Sequence, residues 1–392
     1  MSDHNRLTLK ETYLENSQNA YATAFAPDSK RFAAAGGLRA VFVYRPDAPK
    51  AIGGLVDHKQ SVYALLFSKS GKYFVTTGRD GMIIVYDAQN FDKVVTLLCP
   101  QVGQNFLSVA QYADGRLGKT FVADANTVKE VNTDGNVYAA VEYLLYELNK
   151  TPEKTAQSAQ TVRQTLEQAG FKMPADATVT MGGSQLLPQY ALAMSPDESK
   201  LYVGASHGVL KVYNTADWSL ERVLPLHGGN IRTLAVSPDG QLLATGSSDR
   251  YVKILDAQTF ETLHTIEGHG DSVFAVSFSP DGALFATGCK DARLRIWNVS
   301  GKAIKPKVKI LAHTFSIKGM SFIGGSKEIL TVSQDKTIKI WDIEKVSCVE
   351  TVDRLYGGHT FTINTVSVSP DEHYAVTGSD DKTVKLWELG AK

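Results

Sequence analysis

Histidine, threonine and aspartate recur along this chain at constant spacing. Thr287 and Asp291 follow His269 after 18 and 22 residues. An aspartate that orients a histidine beside a hydroxyl is the arrangement with which many hydrolases activate a nucleophile. Five sets share the histidine-to-aspartate spacing of 22 residues. A catalytic site needs one such set, so five copies favour an architectural role.

Each set belongs to a longer repeated unit, which ends on an aromatic residue or a leucine six positions after the aspartate. Tight-turn residues, Ser-Pro-Asp-Gly at 237–240 and 279–282, lie between alternating apolar and polar stretches that are typical of half-buried strands. The complete sets are His269, Thr287, Asp291, Trp297; His313, Thr331, Asp335, Trp341; and His359, Thr377, Asp381, Trp387. The variant sets are His58, Thr76, Asp80, Tyr86 and His227, Thr245, Asp249, Leu255.

This pattern resembles the WD40 family over nearly the whole chain, and Trp341-Asp342 is its literal Trp-Asp pair. The resemblance implies an all-β fold, a single closed propeller over residues 1–392, with four antiparallel strands in each radial blade. It also implies that the marked histidine, threonine, aspartate and tryptophan bond to one another as structural residues. Residues 6–13 would supply the outer strand of the last blade.

Three further units are degenerate and decide the blade count. They span 21–44, 190–213 and 106–131, and the last is the weakest. With them the chain is predicted to form eight blades. Seven remain possible if 106–131 is not a blade.

An insertion is expected at 137–186, between blades three and four. Thr151-Pro152-Glu153 is typical of a helix start and Gly170 of a helix end, which predicts a helix over 152–169. The stretch 137–143 could instead begin as an outer strand. A partner-binding device and a tolerated loop are both open interpretations of the insertion.

Family resemblance also implies a ring of side chains at the narrow end of the propeller. Most of its members follow a marked histidine by five residues or precede a marked aspartate, and alignment of two degenerate units through their Pro-Asp turns adds Tyr21 and Tyr190. The predicted partner-binding ring is Tyr21, Tyr63, Arg79, Tyr190, Arg232, Phe274, Lys290, Lys318 and Asn364. Aromatic and cationic residues are enriched in binding hot spots. The alternative is that some of these aromatics only plug the channel.

Composition removes several classes of function. The 41 basic and 41 acidic residues balance, which argues against general nucleic-acid binding. No apolar run is long enough to predict membrane insertion. Three widely spaced cysteines favour a reducing compartment, the cytoplasm with the nucleus as the alternative, and no zinc site. Phosphate-loop, nucleophile-elbow and zinc-protease motifs are missing, so neither cofactor nor metal is expected.

The sequence therefore predicts a non-catalytic scaffold or adaptor, a monomeric propeller within an intracellular hetero-complex of proteins. One alternative is a reader of a short peptide or a modified histone tail through the same ring. Another is a propeller enzyme, which would need an axial cluster of histidines and acids that the predicted ring does not contain.

Overall fold

The computed structural model describes residues 6–98, 101–102, 105–113, 120–123, 128–131 and 187–390. Within them the chain forms 32 β-strands and two 3₁₀ turns, Ser206–Gly208 and Arg354–Tyr356. The described elements include no α-helix. Seven antiparallel sheets arranged around one axis make up the fold, so the chain is an all-β propeller.

The strands of the first half, in chain order, are β1 (Leu7–Tyr13), β2 (Ala20–Phe25), β3 (Phe32–Gly36), β4 (Val41–Tyr44), β5 (Gly53–Leu55), β6 (Val62–Phe67), β7 (Tyr73–Gly78), β8 (Met82–Asp87), β9 (Lys93–Leu98), β10 (Gln101–Val102), β11 (Asn105–Tyr112), β12 (Thr120–Ala123) and β13 (Val128–Val131). Blade one is β2 to β5, and blade two is built on β6 to β9.

The second half continues with β14 (Gln189–Met194), β15 (Lys200–Ala205), β16 (Val209–Asn214), β17 (Leu220–Pro225), β18 (Ile231–Val236), β19 (Leu242–Ser247), β20 (Val252–Asp256), β21 (Thr262–Ile266), β22 (Val273–Phe278), β23 (Leu284–Cys289), β24 (Arg293–Ser300), β25 (Ala303–Leu311), β26 (Ile317–Ile323), β27 (Glu328–Ser333), β28 (Ile338–Asp342), β29 (Ser347–Val352), β30 (Ile363–Val368), β31 (Tyr374–Ser379) and β32 (Val384–Leu389). Blades three to six take four strands each, and blade seven is β30 to β32 with β1.

The core lies between neighbouring blades, where the first residue of each inner strand packs against the blade before it. Ile317, which opens the inner strand of blade six, is fully buried. A Cβ atom added to Gly288 of blade five would lie 2.6 Å from Ile317 Cγ2, so glycine at this position permits the close approach of the two blades. Inner strands contact one another in the cyclic order β2, β6, β14, β18, β22, β26, β30 and back to β2.

The N-terminal strand β1 pairs with β32 and completes the sheet of blade seven. The first and last described strands are therefore neighbours in one blade. This pairing closes the ring and covers the backbone edge that β32 would otherwise leave unpaired.

The prediction of eight blades is wrong, and the propeller has seven. The inner strands of blades two and three, β6 and β14, contact each other directly, which leaves no ring position for residues 106–131. Instead β11 pairs with the outer strand β9, and β12 and β13 follow outward. A short alternating stretch forms a strand equally well on an outer edge and in a ring position, so strand propensity alone could not separate the two.

The predicted insertion is also corrected. The added residues follow blade two and precede blade three, and they begin at β10 rather than at residue 137. The elements described there, β10 to β13, are all strands, and no described residue forms the mainly helical insertion that was predicted for 137–186. The predicted helix 152–169 lies outside the described residues.

The two ends of the propeller carry different connections. One end holds the loops with the marked histidines and the turns with the marked aspartates, and we call it the histidine end. The other holds the Ser-Pro-Asp turns between the first two strands of the blades, such as 279–282, and we call it the serine end.

Candidate functional site

An axial cavity of about 580 Å³ opens at the histidine end, lined by the inner strands of all seven blades. Each blade contributes the second residue of its inner strand. The seven side chains are Tyr21, Tyr63, Tyr190, Arg232, Phe274, Lys318 and Asn364. The structure thus brings together seven of the nine residues of the predicted ring.

A β-bulge places each of these side chains. In every blade the pairing of the two inner strands shifts register between the first and third residues of the inner strand. The second residue is left without a cross-strand partner at this shift. Because a bulge re-aims the side chain of its extra residue, seven bulges direct seven side chains to the axis.

The wall of the cavity is aromatic on one side. The ring centroids of Tyr21 and Tyr63 are 5.8 Å apart, and those of Tyr63 and Tyr190 are 5.3 Å apart with planes inclined by 14°. The guanidinium carbon of Arg232 lies 4.2 Å from the centroid of Tyr190. Tyr190 is therefore covered on both faces, and the stack holds Arg232 at the cavity wall.

The opposite side carries a second cation. The ammonium nitrogen of Lys318 lies 3.8 Å from the centroid of Phe274. Burial lowers the pKa of Lys318, although Asp380 raises it and Arg232 and Lys290 lower it further. Nζ of Lys318 makes no hydrogen bond to any described residue, so its donors face the cavity unfilled.

Residues that precede the marked aspartates hold two of the ring residues in place. Nε of Arg232 donates to Ser248 Oγ at 2.9 Å. Nδ2 of Asn364 donates to Asp380 Oδ1 at 2.7 Å. The terminal nitrogens of Arg232 donate no hydrogen bond to the part of the chain that is described.

Arg79 and Lys290 are the two predicted ring residues that do not line the cavity. Nζ of Lys290 lies 3.0 Å from Asp271 Oδ2 on the rim, where both side chains are largely exposed. Arg79 lies close enough to Tyr63 to oppose the rise that burial produces in the tyrosine's pKa.

The repeated polar sets form hydrogen-bonded networks in four blades. Nδ1 of the marked histidine lies 2.9 Å from the aspartate, and Nε2 lies 2.8–2.9 Å from the threonine hydroxyl. Nε1 of Trp341 and of Trp387 donates to the threonine of its blade at 3.2 and 2.9 Å. These networks are His58, Thr76, Asp80; His227, Thr245, Asp249; His313, Thr331, Asp335; and His359, Thr377, Asp381.

Blade five departs from this pattern. His269 Nε2 lies 2.9 Å from the hydroxyl of Thr287, but Nδ1 has no partner among the described residues. Arg295 takes the aspartate instead, and its Nη2 donates to Asp291 Oδ2 at 2.6 Å. Trp297 Nε1 is likewise buried without a partner in the described chain. The sequence signal was Arg295 itself, since blades four, six and seven have lysine at this position.

The networks are closed to substrates. The five threonine hydroxyls that would act as nucleophiles belong to side chains that are 0% exposed. Burial is the largest cause that lowers the pKa of His313, and it lowers the pKa of His269, beside the Arg295 cation, to about 4. Both histidines are therefore neutral at pH 7 and serve the packing of their blades.

Sequence comparison with known proteins matches the repeats directly. The family described as WD domain, G-beta repeat matches residues 50–87, 218–256, 260–298, 305–342 and 347–388, together half of the chain. The chain belongs to the WD40 family. The first three strands of blade one and of blade three lie outside the matched repeats, and both blades lack the marked histidine–aspartate pair.

Two curated relatives show short similarity. Nuclear distribution protein PAC1 of Coccidioides posadasii is 35% identical over 65 residues, which are 16% of this chain and 13% of that protein. The protein of the same name from Gibberella zeae is 36% identical over 61 residues, 15% of this chain and 13% of that protein. The chain therefore spans about an eighth of the length of these relatives.

We also searched the described ranges for metal sites and for membrane-spanning helices. No group of three or more histidine, cysteine, aspartate or glutamate side chains there is placed to hold a metal ion. No described helix is both long and apolar enough to cross a bilayer.

Sequence reasoning missed a set of exposed apolar side chains. Eleven large hydrophobic side chains are exposed in the described part of the WD40 propeller, and eight of them lie at the histidine end. These eight are Leu14, Val56, Tyr251, Leu311, Phe315, Leu355, Tyr356 and Phe361. A signal was present in the repeat alignment, because Phe315 and Phe361 both follow a marked histidine by two residues.

Proposed function

We propose that this WD40 propeller is a non-catalytic interaction module that binds an acidic segment of a partner protein in its axial cavity. One observation carries the proposal: seven bulges turn one side chain from each blade into a single cavity. Among those side chains are two cations, and no described residue accepts from the terminal nitrogens of Arg232 or from Nζ of Lys318. Such a site is formed before a partner arrives, which lowers the entropic cost of binding.

The chemistry of the wall favours carboxylates. Arg232 and Lys318 are each held against an aromatic ring, so neither has to be immobilised on binding. No aspartate or glutamate of the described chain lines the cavity, and Asp380 beside it is already bonded to Asn364. An incoming carboxylate would gain charge-assisted hydrogen bonds there.

A basic peptide such as a histone tail fits this cavity less well. The faces of Tyr190 that a methylammonium group would contact are taken by Tyr63 and Arg232. The positive charges of Arg232 and Lys318 would oppose its entry. We describe no catalytic group beside the proposed binding surface, so the role that we propose for the module is that of a scaffold within a protein complex.

We place this module inside the cell, in the cytoplasm or nucleus. Cys289 and Cys348 are both free thiols, which suits a reducing compartment.

The test compares two double variants. Arg232→Glu with Phe274→Ala reverses one charge and removes one aromatic ring at the cavity. Lys345→Glu with Val346→Ala makes the matched changes at the serine end, where both residues are exposed. A partner recovered by pull-down and mass spectrometry would then be titrated by calorimetry.

We expect the cavity variant to lose about 2 kcal/mol or more of binding free energy and the serine-end variant to bind like wild type. The thermal midpoints of both should stay near the wild-type value. Normal binding of every recovered partner by the cavity variant would overturn the proposal.

A further inference from the structure

Five of the exposed apolar side chains project from two consecutive loops of the histidine end. Leu311 is the last residue of β25, Phe315 follows it on the β25–β26 connection, and Leu355, Tyr356 and Phe361 lie on the β29–β30 connection. Their exposed fractions range from 57% to 81%. Together they present on the order of 500 Å² of apolar surface, as much as the largest patch on a typical monomer. We call these five residues the apolar arc.

The arc is specific to blades six and seven. At the position two residues after the marked histidine, other blades have Gln60, Gly229 and Asp271, whereas these two have Phe315 and Phe361. Ser333 Oγ and Ser379 Oγ donate to the backbone carbonyls of the two phenylalanines. These bonds fix the backbone of the two loops while the phenylalanine rings stay exposed. Packing within this chain does not require exposed rings there.

Cations border the arc. Lys336 and Lys382 occupy left-handed turns with φ of 71° and 69°, where blade two has Gly81 with φ of 72°. Lysine in this conformation costs free energy that glycine would not. Nζ of Lys336 lies 5.6 Å from the centroid of Phe361, and Arg354 is exposed beside Leu355.

The carboxylates of the same sector are occupied. Asp335 and Asp381 bond to their histidines, Asp353 caps Leu355 N, and Asp380 accepts from Asn364. The exposed charged side chains among the described residues of these loops and turns are therefore Lys336, Arg354 and Lys382. Acidic groups on a partner would complement them.

We propose that the apolar arc and the axial cavity bind one continuous segment of a partner protein, in which apolar side chains cover the arc and carboxylates reach Lys336 and the cavity. This inference rests on the proposed function of the cavity and names the chemistry of its partner. Phe361 precedes Asn364, the second residue of β30, by three residues, so at most roughly 10 Å separates the arc from the cavity wall. An extended segment of a few residues spans that distance.

A flat anionic bilayer suits the same residues less well. The arc occupies two blades of seven, and a plane laid on the histidine end would also press on the exposed carboxylate of Glu267, just before blade five. Like charges would then face each other. A segment that runs from the cavity across blades six and seven avoids them.

The test can begin before any natural partner has been identified. Displayed random peptides of about 15 residues, long enough to run from cavity to arc, would be panned on the full chain. Selected peptides would be labelled, and their dissociation constants measured by fluorescence anisotropy. Three double variants with unchanged thermal midpoints enter the comparison: Phe315→Ser with Phe361→Ser in the arc, Arg232→Glu with Phe274→Ala in the cavity, and Val346→Ser with Val349→Ser away from both.

We expect selected peptides to combine carboxylates with apolar residues. The arc variant and the cavity variant should each weaken their binding by about tenfold or more, and the third variant should not.

Loss in the cavity variant alone would overturn this inference and leave the proposed function standing. Loss in the arc variant alone would overturn both. A selection that yields no arc-dependent peptide, or only basic peptides, would overturn the inference. Arc-dependent binding to phosphatidylserine–phosphatidylcholine vesicles in place of peptides would do so as well.

Discussion

The two ends of this propeller treat their polar groups in opposite ways. At the serine end, turns close on themselves: Ser195, Ser237, Ser279 and Ser369 each donate from Oγ to an aspartate two residues later at 2.5 Å. At the histidine end, Arg232 and Lys318 keep donors unfilled by any described residue. Eight of the eleven exposed large hydrophobic side chains of the described chain also lie there.

The difference separates a surface whose polar groups the chain satisfies itself from the surface that we propose to bind a partner. Turn carboxylates at the serine end satisfy the chain's own amides and hydroxyls, so little is left for a partner. The histidine end places the half-buried charges of Arg232 and Lys318 just beneath an open rim. The same end therefore holds the groups that stabilise each blade and the groups that we expect to bind.

Lowering the pH should give the largest difference in stability between the two ends. Burial lowers the pKa of His227, His269, His313 and His359, and that of His269 to about 4. Because the unfolded chain binds these protons near pH 6.5, stability is full above that pH and is lost as pH falls toward 4. His269 alone costs about 2 kcal/mol at pH 5. Urea unfolding at pH 7.5 and pH 5 measures the total loss of unfolding free energy from the four histidines.

Turn aspartates at the serine end do not contribute in this range. The pKa of Asp281 and of Asp371 is lowered from 3.8, so their stabilisation is lost only below that pH. His269→Gln should reduce the slope between pH 6.5 and 5. An unfolding free energy that is flat across this range would contradict the assignment of neutral buried histidines.

Asp291→Ala should give the next largest effect. The change leaves Arg295, whose side chain is 6% exposed, without its carboxylate. Breaking a buried ion pair from one side costs about 3 kcal/mol or more. Chemical denaturation at pH 7 measures the loss in unfolding free energy.

Removing both charges distinguishes the causes. Asp291→Ala with Arg295→Met should be more stable than Asp291→Ala alone, because no uncompensated cation remains. Equal stability of the single and double variants would show that Asp291 acts through the loop amides and not through Arg295.

Asp239→Ala at the serine end should have the smallest effect. Its carboxylate accepts from Ser237 Oγ and from the amide of Gln241, both partly open to water. Loss of such bonds costs about 1 kcal/mol, as measured by the same denaturation experiment. If Asp239→Ala lowered the unfolding free energy as much as Asp291→Ala, the two ends would not differ in how much their carboxylates stabilise the fold.

The repeated spacings predicted the five WD40 blades that carry a marked histidine. In each of them the 22 residues from histidine to aspartate span two strands and the turn that joins them. Bulges at the second residue of the inner strands explain why seven predicted ring residues meet. The blade count failed because residues 106–131 have strand composition but no marked pair to fix their place in the ring. Arg295 was missed because its signal, arginine where blades four, six and seven have lysine, does not show whether Arg295 or His269 bonds to Asp291.

Site-specific photocrosslinking tests the central claim most directly. p-Benzoyl-phenylalanine would replace Phe274 at the cavity in one protein and Val346 at the serine end in another. We predict that illumination in cell extract links a partner to position 274 and leaves position 346 unlinked. Crosslinks to a partner from position 346 and none from position 274 would contradict the account.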